Sequence, residues 1–266
     1  MDGSGGQPGG AVGRATPNPR GTGSESSRSA VPAVATFDCY GTLVDWEGGV
    51  GTFLYELALR RGDRDLRPGQ QLRDRWEAIQ FELLGEPYRP YRDVLAESLR
   101  RYEDERGYRW DPADAEAFVR SMRSWQPFPD TRPALRQARA AGLRLVIVSN
   151  TDRDIITHTL RHIEVPFDDV VTAEDAGAYK PAEAPFRLAL ERIGEPPSAV
   201  LHVAFGFRYD IGPARRLGMR TAWVNRHVEA PPGPDRPDHE WRDLWGLADL
   251  AGGHGPVAGA TDVTAR

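Results

Sequence analysis

The run Val34-Ala35-Thr36-Phe37-Asp38-Cys39-Tyr40-Gly41-Thr42-Leu43 decides how the rest of the chain is read. Its first four residues are apolar or β-branched, the pattern of a short buried strand. Polar chemistry begins where the apolar run stops, at Asp38, with a turn-forming Gly41 and a hydroxyl at Thr42. Downstream, the apolar spacing becomes helical. Val50, Phe53, Leu54 and Leu57 form one stripe, Leu72, Trp76, Ile79 and Leu83 a second, Val94, Leu95, Leu99 and Tyr102 a third, and Ala115, Phe118, Val119 and Met122 a fourth. Each stripe gives a helix one face to bury. With no strand between them, the four predict an all-α insert after the first strand.

Beyond Gln126-Pro127-Phe128-Pro129 the pattern alternates. Helices are predicted over 133–141 (stopped by Gly142), 152–163, 185–193 and 210–217, and strands over 143–148, 169–171, 199–203 and 221–224. Strands alternating with helices predict an α/β fold with a Rossmann-like parallel sheet. In such sheets ligands bind beyond the carboxyl ends of the strands. The expected organisation is a tail over 1–30, an α/β core over 31–48 and 127–251, a helical insert over 49–126, and a second tail over 252–266. Residues 1–30 hold 8 Gly, 3 Pro and 5 Ser with no aromatic, too little apolar surface to offset ordering entropy, so disorder is expected there.

The 266 residues carry a formal charge of −5, with 34 basic and 39 acidic side chains interleaved along the chain. That argues against a nucleic-acid partner, which calls for a clustered basic face. The longest apolar stretch is far shorter than a bilayer span, so no membrane association is expected. The single cysteine, Cys39, permits no intrachain disulfide and fits a reducing compartment; a cytoplasmic protein is expected. Among the basic residues, Lys180 is the one lysine, all others being arginine. A planar guanidinium and a compact ammonium are not interchangeable, so the position of that lysine carries information.

If the topology holds, four polar points converge: Asp38 with Thr42 after the first strand, Ser149 and Asn150 after the second, Lys180 after the third, and Asp210 after the fourth. An ammonium can hold a carboxylate nucleophile ionised and aimed, hydroxyl and amide donors can bind an anionic substrate, and a second carboxylate can position or deprotonate water. The remaining suggestive residues have plain readings as well. Cys39 reads as a small core residue, and His158 and His162 as packed or solvated. Trp46, Trp76 and Trp125 are read as pocket lining or packing, and Gly48-Gly49 and Gln126-Pro127 as hinges or linkers.

These points, in this order, resemble the motifs of the haloacid dehalogenase superfamily. Asp38 to Thr42 is similar to its DxxxT motif I, Val148-Ser149-Asn150 to motif II, Lys180-Pro181 to motif III, and the loop ending at Asp210 to motif IV. The helical insert resembles the family's C1 cap. Phosphatases of the superfamily carry an acid two residues after the nucleophile and a further acid in motif IV; here those positions hold Tyr40 and Phe205. A tyrosine two residues after the nucleophile resembles the L-2-haloacid dehalogenase branch, which works without metal or cofactor.

The resemblance implies attack of Asp38 on C2 of a small 2-halocarboxylate. Lys180 would pair with Asp38, Asp210 would position water, and Thr42 would bond near Asp38. Tyr40, Trp46, Ser149 and Asn150 would contact substrate. A halide-binding arginine is implied early in the insert. Arg73 and Arg75 both lie in that helix, Arg75 being the candidate, while one register places Glu77 there. Phe205, Gly206 and Phe186 depart from the polar residues of that branch. A homodimer is expected by the same resemblance. A Mg²⁺-dependent small-molecule phosphatase and a catalytically degenerate binding protein are the alternatives.

The lone lysine gives the first test. Lys180→Arg is expected to fold, as judged by circular dichroism, yet to lose most halide release from 2-halo acids, whereas surface Arg→Lys changes are nearly silent. Full turnover in Lys180→Arg would overturn the motif reading.

Overall fold

A six-stranded, all-parallel sheet runs in the order β3-β2-β1-β4-β5-β6 in the computed structural model, which describes residues 32–63 and 69–252. The strands are β1 (Val34–Phe37), β2 (Arg144–Ser149), β3 (Asp169–Thr172), β4 (Val200–Ala204), β5 (Arg220–Val224) and β6 (His239–Trp241). The expectations for residues 1–30, and for the second tail beyond Gly252, lie outside the described residues. β1 occupies the middle, paired with β2 on one side (Phe37 opposite Ile147) and β4 on the other (Phe37 opposite Val203). The chain leaves β1 in one direction through β2 and β3, then crosses to its other side at β4. The order reverses there, and a ligand crevice forms where it does.

Burial on both faces explains the continuous apolar character of the inner strands. Alternate residues serve the two layers. Ala35, Phe37, Leu145, Ile147, Leu201 and Val203 pack with α5 (Thr131–Ala140), α6 (Arg153–Ile163) and α10 (Trp245–Leu250). Val34, Val146, Val148, Val171 and Val200 pack with α8 (Ala184–Ile193) and α9 (Gly212–Arg216).

Between β1 and β2 lie α1 (Trp46–Arg60), α2 (Gly69–Leu84), α3 (Tyr91–Glu105) and α4 (Pro112–Ser121), the helical insert that the apolar stripes predict. Every stripe residue is buried except Val119, which is partly exposed. Phe53, Trp76 and Phe118 form its aromatic centre, Phe118 lying 4.6 Å from Phe53 and 5.2 Å from Trp76 between ring centroids. The buried residues of the insert join those of the sheet's α5–α6–α10 face in one hydrophobic cluster. No helix among the described residues is long and apolar enough to cross a membrane.

Three features depart from the sequence expectations. The helix expected over 210–217 begins earlier, as a π-helical turn at Phe207–Ile211 that runs into α9, so Asp210 sits within a helical turn rather than in a loop. A one-turn helix, α7 (Ala173–Ala176), with a Thr172–Asp175 capping box precedes the Lys180 loop. β6 and α10 lie past the last predicted strand; His-Glu-Trp is too short and polar to announce a strand, and pairing with β5 makes it one.

The loop after β1 is clamped to the core. Thr131 Oγ1 donates to Leu43 O (2.7 Å) and Arg226 Nη2 to Thr42 O (2.8 Å). Arg226 lies over the Phe128 ring and pairs with both oxygens of Asp130 (3.2 and 3.0 Å), and Asp130 also accepts from Leu244 N at 2.7 Å. Asp130→Ala strands a largely buried guanidinium and an amide N–H. It is expected to lower unfolding free energy by about 2–4 kcal/mol, read from denaturant midpoints, while Asp130→Asn loses less.

Candidate active site

Asp38 leaves the end of β1 at the sheet's centre, almost buried at 8% exposure. Gly41 makes the turn behind it with φ of +97°. A side chain there would meet Phe205 Cδ1 at 2.6 Å and Trp46 Nε1 at 2.7 Å, so glycine is required on both counts. The turn brings Thr42 back, and its hydroxyl donates to Asp38 Oδ2 (2.9 Å) while accepting from Phe205 N (2.8 Å). One side chain thus joins the loop after β1 to the loop after β4.

Lys180 is 1% exposed, and its ammonium donates three hydrogen bonds, to Asp38 Oδ1 (2.9 Å), Asp210 Oδ1 (2.6 Å) and Val148 O (2.9 Å). Its backbone is held by Asn150, whose Nδ2 donates to Lys180 O (2.9 Å) and whose Oδ1 accepts from Lys180 N (2.7 Å). The Asn150 carboxamide is therefore committed to the Lys180 loop. Ser149 Oγ, by contrast, is buried beside the site without a protein partner.

His202, a residue the sequence reading passed over, completes the arrangement. It sits within β4, fully buried. Its Nε2 lies 3.0 Å from Asp210 Oδ1 and its Nδ1 lies 2.9 Å from Thr36 Oγ1. A polar pair at facing positions of two adjacent buried strands was the available signal, because Thr36 and His202 share a register. Phe186 packs against the His202 ring at 5.1 Å, buried on the α8 side of the sheet and away from the cavity.

Electrostatics follow from burial and this pairing. Burial works against the Lys180 charge, but Asp210 and Asp38 outweigh it and hold the ammonium above its usual range. Burial also pulls the Asp210 carboxyl upward, yet Lys180 and His202 more than offset this and keep it below the usual carboxylate range. For Asp38 burial leads and raises the carboxyl, with Lys180 opposing and Asp210 adding to the rise. Two carboxylates sharing one ammonium leave the cluster with one net negative charge when all three are ionised.

The cluster floors a cavity of about 90 Å³, roughly the liquid volume of three waters. Trp46, Trp76, Leu84, Trp125 and Phe205 supply apolar walls, with Tyr40, Tyr91 and Tyr209 between them. Tyr40 lines it with its ring, its hydroxyl bonded to Thr159 Oγ1 at 2.8 Å; burial pushes its phenol well up. Trp46 lines it as expected, and Gly49 is needed where α1 passes the Trp125 ring, which a side chain there would overlap. Cys39 is fully buried, its thiol pushed well up by burial, as a packed core residue should be.

Arg75 does not reach this cavity. It lies on the outer face of α2, half-exposed and paired with Glu105. Arg73 is turned closer, but it bonds Glu47 (2.9 Å) and Asp74 (3.0 Å) with its guanidinium over Trp46. The α2 residues that do line the cavity are Trp76, Glu77, Gln80 and Leu84. Gln80 is tied to Tyr91 Oη at 2.7 Å. Among the described residues no group of three or more His, Cys, Asp or Glu side chains gathers to hold a metal ion.

A buried Asp–Lys–Asp cluster beneath a helical insert, at the carboxyl end of a parallel sheet, defines a class of hydrolase. Residues 32–218 match the model of the haloacid dehalogenase-like hydrolases, and the chain belongs to that family. It is 29% identical over 213 residues to the (S)-2-haloacid dehalogenase of Pseudomonas fluorescens, across 79% of this chain and 92% of that protein. To haloacetate dehalogenase H-2 of Moraxella sp. (strain B) it is 27% identical over 206 residues, across 74% and 87% of the two chains. The crystal structure of an L-2-haloacid dehalogenase superposes with a TM-score of 0.75 at 26% identity, over 84% of this chain and 100% of the other.

Thr42→Val keeps the shape of residue 42 but strands Asp38 Oδ2 and the Phe205 N–H. It is expected to cost about 1–3 kcal/mol of stability and to raise the Asp38 carboxyl further, since the lost bond favoured its charged form. Denaturant unfolding at neutral pH checks the first effect and the acid limb of any Asp38-dependent activity the second.

Proposed function

We propose that the protein hydrolyses small 2-haloalkanoates, with Asp38 as nucleophile and without a metal ion. The observation that carries this reading is the Lys180 ammonium bridging Asp38 and Asp210 under a cavity sized for a few heavy atoms. In the first step an Asp38 carboxylate oxygen attacks C2, the carbon–halogen bond breaks with its electron pair leaving on the halide, and an ester to Asp38 forms. In-line displacement inverts C2. Halide needs no proton, so a tyrosine rather than an acid at position 40 is consistent with this chemistry.

In the second step water attacks the acyl carbon of the Asp38 ester. Both hydrogen bonds to Asp210 fall on Oδ1, leaving Oδ2 to take the water proton. The tetrahedral intermediate expels the 2-hydroxy acid oxygen, which recovers that proton from Asp210, and Asp38 returns to its carboxylate by releasing a proton to solvent. Ser149 Oγ, unpartnered and buried at the cavity wall, is the donor offered to the substrate carboxylate. Lys180 opposes the rise that burial imposes on the Asp38 carboxyl and so favours its charged, nucleophilic form. Residues 49–126 act as the cap that closes the cavity over a core of 31–48 and 127–251, with Gly49 and Trp125 at the junction.

The haloacetate and 2-haloacid dehalogenases among its relatives support the substrate class. The Mg²⁺-dependent phosphatase alternative asks for acids where Tyr40 and Phe205 stand, and Asp38 and Asp210 at the cavity floor are already bridged by Lys180.

Purified protein incubated with 2-chloropropionate is expected to release chloride at a rate indifferent to EDTA. Acid-quenched samples should carry a mass adduct on the peptide containing Asp38, and Asp38→Asn should lower turnover by roughly 10³-fold or more. No halide release from a panel of 2-halo acids, together with no adduct, would sink the reading.

A further inference from the structure

An open groove of about 550 Å³ adjoins the cavity, and Glu77, Phe205, Gly206 and Tyr209 line both. These four residues therefore stand between the catalytic cluster and the groove, where a passage to solvent would run. Three are apolar, aromatic or glycine; Glu77, on the cavity face of α2, is the one side chain there that can carry a charge near neutral pH. The groove beyond is acidic, with Asp74, Glu82 and Glu229 on its walls and Arg208 as the cation.

We propose that Glu77 sets the charge class of molecules admitted to the cavity: ionised, it opposes carboxylates and favours neutral ligands, and protonated, it lets carboxylates pass. This rests on the dehalogenase reading for its choice of ligand, though the gate itself is a property of the passage. An anion leaving water for this passage would face Glu77 at the entrance and the net negative Asp38–Lys180–Asp210 cluster at the floor, with no free cation lining the cavity to offset them. Like-charge opposition at a narrow, partly desolvated site acts on both association and affinity.

The surroundings of Glu77 support a switch in the working range. Burial raises its carboxyl to about 6, against the charge of Arg73 on its own helix, and Glu47 from α1, Asp74 from α2 and Glu229 from the segment after β5 add to the rise. Arg73 is itself engaged by Glu47 and Asp74. From the π-helical turn Tyr209 faces Glu77, its phenol pushed up and so neutral, and Arg208 stands in the groove beyond. Above about pH 6 Glu77 is ionised and weakens the binding of anions; below it that opposition falls away.

The test compares propionate with propionamide, matched in size but not in charge, binding to wild type and Glu77→Gln between about pH 5 and about pH 8. Quenching of the cavity tryptophans reports affinity. Propionate stays ionised over most of this range, and propionamide, neutral throughout, corrects in each protein for pH effects that do not depend on ligand charge. In wild type the affinity ratio of propionate to propionamide should fall roughly tenfold as pH rises; in Glu77→Gln it should stay nearly flat. The same fall in both proteins, or failure of either probe to bind, overturns the gate. Halide release from 2-chloropropionate is measured alongside. Release with no Glu77-dependent ratio discards the gate alone, and a Glu77-dependent ratio without release keeps the gate and discards the dehalogenase reading.

Discussion

Three donors on one ammonium meet three acceptors from three parts of the chain: Asp38 after β1, the Val148 carbonyl near the end of β2, and Asp210 in the π-helical turn after β4. A fully buried lysine is costly unless it is paired and its hydrogen bonds are met. Here all three are met. Without the ammonium, Asp38 and Asp210 would be like charges facing each other away from water. The same contact favours the charged form of both carboxylates and anchors the carboxyl ends of β1 and β2 to the turn after β4. An arginine would bring a planar fork of five donors to a site that offers three acceptors.

Each member of the cluster has a second support. Thr42 holds Asp38 Oδ2 and ties it to the Phe205 backbone. Asn150 holds the Lys180 backbone through both ends of its carboxamide. His202 holds Asp210 Oδ1 and is itself fixed by Thr36 and packed by Phe186. Such supports fix geometry before substrate arrives, which is how a preorganised site lowers a barrier. The carboxamide of Asn150 is committed to the scaffold, whereas the buried hydroxyl of Ser149, a residue on the cavity lining, has no protein partner.

How much of this the sequence disclosed depended on whether a feature had a period. β1 and the apolar stripes of α1 to α4 were legible because burial on one or two faces leaves a repeating pattern. The polar cluster was legible because its residues follow strands, where chain order becomes spatial order. The π-helical turn was not, since its residues fit an ordinary helix start equally well. His202 was overlooked because it lies inside an apolar strand and shows its meaning only once β1 and β4 are paired in register. The placement of Arg75 failed for a geometric reason visible in hindsight. At 100° per residue, Arg75 lies roughly 150° around α2 from the centre of the Trp76–Glu77–Gln80–Leu84 face, while Arg73 falls on the same side as that face.

That geometry also bears on how charge is handled in the cavity. The outward turn of Arg75 and the engagement of Arg73 with Glu47 and Asp74 leave Lys180 as the one cation lining the cavity among the described residues. Lys180 spends all three of its donors on protein acceptors, which leaves neutral groups to meet an anion in the cavity. Ser149, Trp46 and Trp125 are among the neutral residues on its lining. Neutral groups in an aromatic-walled space stabilise an anion less than a guanidinium would. Phe205 and Gly206 bring no side-chain donor to that wall, so the cavity offers an anion little beyond its neutral lining, while the contact of Asp38 with the Lys180 ammonium is intact.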